Sequence, residues 1–332
     1  MGRSRALMML LRLAAFAGCL QLVLTYPLSA AAQQPAVAAA PVAPAAQAPG
    51  RGRGPQPLDS RVQVRMHHFA ETNEDIPYAL FVSSKVRTDK KAPMIVSLHG
   101  LGGTHTTMMR PNAIDLAEAG GYILLAPMGY NPRGWYGIPA GPRRGGPPPT
   151  PAAPTTPPSA AAPAAAAGSG APAANATAAQ GRRGGGALNG ANDPPNVREL
   201  SEKETLEVID LVRKEFKVDE DRTYLMGHSM GGAGTLYLAM KYPERWAAVA
   251  AIAPAAFGLD PQGLSKVPKM PVMIVHGAMD TVVPVTMAQR WAEVIRSLKM
   301  QFQYIEVPGG DHGTVITSHQ AEIFAFFARH SR

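Results

Sequence analysis

The chain has 332 residues, a formal net charge of +8 and a single cysteine, Cys19. One cysteine excludes a framework of internal disulfides, so the fold must depend on a packed core. Many of the surplus arginines lie in stretches of low sequence complexity, which is typical of solvated segments and not of a nucleic-acid-binding face. We therefore expect no nucleic-acid partner.

Residues 1–32 have the pattern of a secretory signal peptide. Arginines precede an interrupted apolar stretch, and Ala30 and Ala32 fit the small-x-small rule for cleavage after Ala32. The apolar stretch is too short for a membrane span. We expect a secreted or periplasmic protein; the alternative is a lipoprotein anchored through Cys19, because residues 16–19 resemble a lipobox.

Two segments are too rich in alanine, proline and glycine to form a core. Residues 33–60 contain few large apolar side chains, and residues 139–192 hold 18 alanines, 11 prolines and 10 glycines among 54 residues. Such compositions cannot bury enough apolar surface to offset the entropy of the chain. We predict a disordered leader over 33–60 and one folded domain over 61–332, interrupted by a disordered insertion at 139–192.

The folded part begins with two segments, residues 61–68 and 77–82, which are predicted to pair as an antiparallel hairpin. Later segments are short and almost continuously apolar, which is typical of strands buried on both faces. These strands are predicted at residues 94–98, 122–126, 224–226, 248–252 and 272–275, with a further strand at 301–307.

Helical patterns alternate with these strands. They cover residues 112–119, 201–216, 233–242, 286–298 and 319–328. Ser201 and Glu204 have the spacing of a capping box, which predicts that the second helix begins at Ser201. The alternation predicts an α/β fold, with a mostly parallel central sheet, an antiparallel N-terminal hairpin and helices on both faces.

The strongest chemical motif follows the predicted strand at 224–226. Gly227, Ser229 and Gly231 form the pattern G-x-S-x-G between a strand and a helix. A serine in that sharp turn has strained backbone geometry, so the positions two before and two after it must lack side chains. This context predicts Ser229 as a nucleophile, with a helix N-terminus directed at the negative charge that develops during acyl transfer.

A serine hydroxyl needs a base within hydrogen-bond reach and a carboxylate that orients the base. Asp280 follows a predicted strand and is predicted to be the orienting acid. His312 lies in a glycine-rich loop after the next strand and is predicted to be the general base. His276 and His319 are weaker alternatives for the base. Asp311 is adjacent to His312 and cannot easily fold back onto its imidazole.

Acyl transfer also needs backbone donors for the oxyanion. The predicted strand at 94–98 ends in a His-Gly-Leu-Gly-Gly loop. In sites of this kind one amide comes from that loop and the other from the residue after the nucleophile. We predict the N–H groups of Leu101 and Met230, with Gly102 as an alternative to Leu101.

The loop at 127–138 follows the carboxyl end of a predicted strand, where ligands bind in open α/β sheets. Trp135 and Tyr136 in this loop are predicted to contact the substrate, although Trp135 could instead pack the loop down. The sequence contains no metal-ligand spacing and no phosphate-binding loop, so we expect no cofactor and no metal.

Four runs of sequence carry a family resemblance: LHGLGG, GHSMGGAGTLYLAMKYPERW, HGAMDTVVPV and GGDHG. With these runs the chain resembles the esterase group of α/β hydrolases, which includes polyhydroxybutyrate depolymerase-like and feruloyl-esterase-like enzymes and is related to the prolyl oligopeptidase catalytic domain. The resemblance covers residues 61–138 and 193–330. It implies the α/β-hydrolase fold and hydrolysis of carboxylic esters through an acyl-enzyme at Ser229.

The predicted function is therefore that of an exported carboxylesterase acting on an aryl or polyester-like ester. A serine peptidase of the prolyl oligopeptidase type is the first alternative, although the leader is too short to provide a gating domain. An acyltransferase or a binding module without turnover is the second. The complete set of serine, acid and histidine argues against a module that has lost turnover.

Overall fold

A computed structural model describes residues 57–140 and 192–332. The predicted signal peptide, most of the leader at 33–60 and nearly all of the insertion at 139–192 lie outside these residues and remain predictions. Within the described ranges, no helix is both long enough and apolar enough to cross a membrane.

The described residues form one eight-stranded sheet. Its strands are β1 (Gln63–Phe69), β2 (Glu74–Val82), β3 (Ala92–Leu98), β4 (Ile123–Ala126), β5 (Val218–His228), β6 (Ala248–Ile252), β7 (Val272–Gly277) and β8 (Phe302–Val307). The order is β1-β2-β4-β3-β5-β6-β7-β8. β2 pairs antiparallel with β1 and β4, and every other pair is parallel. The predicted α/β fold with an antiparallel N-terminal hairpin is confirmed.

The helices of the described ranges cover both faces of this sheet. They are α1 (Pro111–Gly120), α2 (Val197–Glu215), α3 (Met230–Lys241), α4 (Val285–Ser297), α5 (Val315–Ser318) and α6 (Gln320–Ala328). Side chains alternate between faces along a strand. Leu225 of β5 accordingly joins a core with α2, α3 and α4, whereas Tyr224 and Met226 join a core with α1 and α6.

The start of α2 differs from the prediction. The helix begins at Val197, and Ser201 and Glu204 lie inside it with no exposed surface. The predicted capping box is wrong because both side chains accept hydrogen bonds from a distant loop. Ser201 Oγ accepts from the Tyr136 N–H at 3.0 Å, and Glu204 Oε2 accepts from the Tyr130 N–H at 3.1 Å.

The parallel strands bring several loops to one edge of the sheet. Successive parallel strands point the same way, so the loops after their carboxyl ends meet at that edge. We call residues 99–103, which follow β3, the β3 loop, and residues 127–138, which follow β4, the β4 loop. The motif residues of the sequence all lie at this edge, after β3, β5, β7 and β8.

Candidate active site

Ser229 forms the turn between β5 and α3. Its φ is 56° and its ψ is −114°, a backbone geometry that residues with side chains rarely adopt and that is concentrated at functional sites. Backbone hydrogen bonds hold this turn: the Ser229 N–H donates to the Ile252 carbonyl at 2.9 Å, and the Ser229 carbonyl accepts from Ala233 and Ala255 at 3.0 Å each. The serine side chain is therefore presented by a rigid backbone.

Two glycines make this turn possible. A Cβ on Gly227 would lie 2.3 Å from the Gly231 carbonyl oxygen, and a Cβ on Gly231 would lie 2.3 Å from the Leu98 carbonyl oxygen. Both distances are far below van der Waals contact, so a side chain at either position would push β5, α3 and the end of β3 apart. The G-x-S-x-G pattern thus has a steric cause in this fold.

Ser229, His312 and Asp280 form a continuous hydrogen-bonded chain. The distance from Ser229 Oγ to His312 Nε2 is 2.9 Å, and the distance from His312 Nδ1 to Asp280 Oδ2 is 2.7 Å. With its proton on Nδ1, His312 donates to Asp280 and accepts from the serine hydroxyl. In this arrangement the imidazole can take the serine proton while the carboxylate stabilises the resulting cation.

The Asp280 carboxyl group is buried and has its hydrogen-bonding capacity filled. Oδ1 accepts from the N–H groups of Val282 and Val283 at 2.9 and 2.8 Å. His276 Nε2 lies 2.9 Å from the Val283 carbonyl and 3.3 Å from Asp280 Oδ2. Burial lowers the pKa of His276. The structure places His276 behind the acid and not against Ser229.

His228 was not singled out by the sequence, but it contacts the loop that carries His312. Its Nε2 donates to the His312 carbonyl oxygen at 2.8 Å, and the two rings are 4.6 Å apart. Burial and, to a smaller extent, the neighbouring His312 lower the pKa of His228 to about 4. The only signal for His228 in the sequence was its position directly before Ser229. The G-x-S-x-G pattern allows any residue at that position.

The other two candidates lie away from the serine. Asp311 Oδ1 accepts from the N–H groups of Gly313 and Thr314 at 2.9 and 2.8 Å, and these hydrogen bonds lower the pKa of Asp311. His319 Nδ1 is 2.8 Å from Ser318 Oγ. Asp311 therefore shapes the loop that carries His312. In the part of the chain that the structure describes, no group of three or more His, Cys, Asp or Glu side chains could hold a metal ion.

The β3 loop lies directly against the serine. A Cβ on Gly100 would be 3.2 Å from Ser229 Cβ. The Gly102 N–H donates to the Pro132 carbonyl at 2.9 Å, so this alternative oxyanion donor is already engaged. Among residues 57–140 and 192–332, none accepts a hydrogen bond from the Leu101 N–H. Met230 is the first residue of α3, where an N–H has no partner within the helix.

The structure places Trp135 and Tyr136 in the interior and not on the wall of a cleft. Tyr136 has no exposed surface, and its hydroxyl donates to the His99 carbonyl at 3.1 Å. Trp135 is 5% exposed and packs under the Arg198 guanidinium, 5.3 Å from its ring. Because Ser201 binds the Tyr136 amide, the β4 loop folds back onto α2. Tyr136 consequently supports the β3 loop from below, which does not match its predicted contact with substrate.

Exposed apolar side chains occupy the same edge of the sheet. We call these four the apolar rim: Leu101, Phe257, Met279 and Val282, which are 46%, 59%, 65% and 63% exposed. Met279 and Val282 flank the acid, Leu101 belongs to the β3 loop, and Phe257 follows β6. Exposed apolar groups gathered around a reactive site are typical of a surface that binds an apolar ligand.

Comparison with known proteins gives partial matches. The phospholipase/carboxylesterase family matches residues 191–327. The S-formylglutathione hydrolase of Paracoccus denitrificans is 46% identical over 52 residues, which are 16% of this chain and 19% of that protein. Cutinase 2 of Thermobifida cellulosilytica is 32% identical over 99 residues, which are 29% of this chain and 35% of that protein. The matches thus span at most 35% of the length of either relative.

Solved structures match over most of the chain. A thermostable esterase superposes with a TM-score of 0.56 at 22% identity, covering 83% of this chain and 64% of that one. The ferulic acid esterase of Anaeromyces mucronatus superposes with a TM-score of 0.54 at 18% identity, covering 84% of this chain and 94% of that one. At such identities the likeness is one of fold. Taken with the sheet topology and the serine turn, it shows that the described residues have the fold of an α/β hydrolase.

Proposed function

We propose that this protein is a serine hydrolase that cleaves carboxylic ester bonds through an acyl-enzyme on Ser229. The observation that carries the proposal is the hydrogen-bonded chain from Ser229 through His312 to Asp280, built on a strained strand-to-helix turn. The match to the phospholipase/carboxylesterase family, which covers that turn and the loops of both partners, supports ester bonds as the target.

In the first half of the reaction, Ser229 Oγ attacks the ester carbonyl carbon while His312 Nε2 takes the serine proton. The N–H groups of Leu101 and Met230 donate to the oxyanion of the tetrahedral intermediate. Asp280 stabilises the imidazolium, which then gives its proton to the departing alcohol as the acyl-enzyme forms. In the second half, water attacks the acyl carbon while His312 takes its proton. The bond between the acyl carbon and Ser229 Oγ then breaks, His312 returns the proton to Oγ, and the carboxylic acid leaves.

The apolar rim supports an ester with a large apolar portion as the substrate. Its four side chains are exposed and belong to loops that follow the carboxyl ends of β3, β6 and β7, so an aryl group or a polyester segment that bound there would bury apolar surface away from water. We therefore propose an aryl or polyester-like ester. Among the matched proteins, a cutinase and a ferulic acid esterase have names consistent with such substrates.

We also propose that the chain is exported. The support is the signal pattern of residues 1–32, with the lipoprotein anchored through Cys19 as the alternative. Mass spectrometry of the protein from its native host distinguishes the two, since cleavage after Ala32 and acylation of Cys19 give different N-terminal masses. An uncleaved N-terminus would contradict both.

The proposed function is tested with purified wild-type protein and the variants Ser229→Ala and His312→Ala. We measure kcat and KM on p-nitrophenyl acetate, p-nitrophenyl octanoate and a proline-containing peptide anilide. We expect both variants to lose at least about a thousandfold in kcat on the esters. His319→Ala is the matched control, because the imidazole of His319 forms a hydrogen bond with the neighbouring Ser318 and not with Ser229 or Asp280, and it is expected to retain wild-type turnover.

The three substrates separate the alternatives. Cleavage of both esters, with the higher kcat/KM on the octanoate, supports an apolar ester substrate. Cleavage of the anilide would favour a peptidase instead. Ester turnover that survives in Ser229→Ala at the wild-type rate would show that another residue is the nucleophile.

A further inference from the structure

Glu204 is a buried carboxyl group that the proposed reaction does not use. It lies inside α2 with no exposed surface. Its Oε2 accepts from the Tyr130 N–H at 3.1 Å, whereas its Oε1 has no hydrogen-bond partner in the described part of the chain. Burying a carboxyl group is costly unless it is well satisfied. A residue of this type in the core needs a reason beyond packing.

An amide of the β4 loop binds this carboxyl group: the Tyr130 N–H donates to Glu204 Oε2. Backbone amides of residues 128–130 favour the charged form of Glu204, although burial has the larger effect and raises its pKa to about 8. Glu204 therefore organises the first residues of the β4 loop from below.

The β4 loop is a strained segment that needs such support. Several of its residues have a left-handed φ: Gly129 (64°), Tyr130 (66°), Trp135 (60°), Tyr136 (51°) and Gly137 (88°). A strained backbone of this kind persists only where surrounding contacts hold it in place, and it is concentrated at functional sites. One face of α2 supplies those contacts, because Ser201 and Arg198 bind the Tyr136 amide and the Ile138 carbonyl.

Two consecutive peptide units of the β4 loop connect Glu204 to the β3 loop. The N–H of the Gly129–Tyr130 unit donates to Glu204 Oε2 at 3.1 Å, and the carbonyl oxygen of the preceding Met128–Gly129 unit lies 2.8 Å from His99 Nε2. His99 begins the β3 loop, which also contains Leu101 and the bond from Gly102 to Pro132. A shift of these two peptide units would move the β3 loop relative to Ser229.

We propose that Glu204 is a positioning residue for oxyanion stabilisation. Its carboxyl group fixes the Tyr130 amide and the adjoining Met128–Gly129 peptide unit and, through His99, sets the distance of the Leu101 N–H from the reacting carbonyl oxygen. This inference rests on the proposed function, in which Leu101 is an oxyanion donor. Glu204 itself touches neither the substrate nor Ser229.

The test compares Glu204→Leu, which has no acceptor, with Glu204→Gln, which keeps an acceptor oxygen of similar position. Val208→Ala is the control, because Val208 is a fully buried residue one turn further along α2 whose side chain has no group that could accept a hydrogen bond from the β4 loop. For each protein we measure Tm, kcat and KM on p-nitrophenyl acetate, and the rate and end point of Ser229 labelling by a fluorophosphonate.

We expect Glu204→Leu to lower kcat about tenfold to a hundredfold, with KM unchanged, because donor misplacement weakens transition-state binding only. The labelling end point should stay complete, which shows that every molecule is folded, while the labelling rate falls with kcat. Glu204→Gln should keep kcat within about threefold of wild type. Val208→Ala should lower Tm without lowering kcat.

Several results would overturn the inference. The first is a wild-type kcat in Glu204→Leu. The second is a loss of kcat in Glu204→Gln as large as in Glu204→Leu. The third is a loss of kcat of that size in Val208→Ala when the two variants have the same Tm. If Glu204→Leu does not fold, Glu204→Asp replaces it, because the shorter side chain keeps a carboxyl group but withdraws it from the Tyr130 amide. This variant must then show the same loss of kcat. Labelling of Ser229 does not require ester turnover, so the Glu204 comparison remains valid even if the wild-type protein hydrolyses no ester.

Discussion

Two buried histidines, His228 and His276, are neutral groups that hold Ser229, His312 and Asp280 in position. Burial lowers the pKa of both His228 and His276, so neither carries a positive charge near neutral pH. A charged imidazole at either place would oppose the positive charge that His312 gains during the reaction. Their N–H groups instead bind the His312 carbonyl and the loop of Asp280. The site therefore separates the histidine that changes charge from those that fix its position.

Glu204 leads to a prediction about stability and pH. Burial, with a smaller contribution from the partly buried Glu207, raises its pKa from 4.5 to about 8. Between these pH values the folded chain keeps a proton that the unfolded chain has released, so the free energy of unfolding falls as pH rises, by up to about 1.4 kcal/mol per pH unit. Glu204→Gln has no proton to lose. Its stability relative to wild type should therefore increase from pH 5 to pH 8.

Urea unfolding at pH 5, 6.5 and 8 measures this difference. Glu199→Gln is the control, since Glu199 is an exposed carboxyl group in the first turn of the same helix. Its difference from wild type should be nearly constant over this range. A constant difference for Glu204→Gln as well would mean that the Glu204 carboxyl is already ionised in the folded protein at pH 5.

At the scale of elements, the sequence predicts the sheet more accurately than the contacts between elements. Strands buried on both faces appear as continuous apolar runs, and the motif residues follow those runs directly. The spacing of Ser201 and Glu204, however, does not distinguish two situations. It occurs at the start of a helix, and it also occurs inside a helix where both side chains accept hydrogen bonds from another segment. The partner of Ser201 is 65 residues away, in a loop whose left-handed backbone no local pattern indicates. For the same reason the burial of Tyr136 could not be predicted.

The serine turn gives a prediction for an element. Gly231→Ala should lower the free energy of unfolding by about 3 kcal/mol, because the new Cβ would overlap the Leu98 carbonyl oxygen and force β3 and α3 apart. Gly313→Ala is the matched control, since a Cβ there would make an ordinary 3.6 Å contact with Asp311. Urea unfolding of both variants measures the difference. Equal stability of the two would show that the turn can open without cost.

At the scale of the whole molecule, the parallel sheet brings distant parts of the sequence together. The serine, acid, histidine and β3 loop follow four different strands, and one shared strand direction places all four at one edge. This much follows from the alternation of strands and helices in the sequence. The hydrogen bonds from α2 to the β4 loop cannot be predicted in this way, because they depend on where α2 lies when the chain returns to the sheet after residue 192.

The segment between residues 140 and 192 leads to the last prediction. Its composition predicts little contribution to a core, and the described residues next to it, Ala140 and Asn192, are exposed. Replacing residues 141–191 by a short Gly/Ser linker should therefore change Tm by less than about 3 °C. Calorimetry measures Tm, and Ser229 labelling by a fluorophosphonate reports the site in the same samples. A large loss of Tm would show that the segment packs on the domain, whereas an unchanged Tm with faster labelling would show that it restricts access to Ser229.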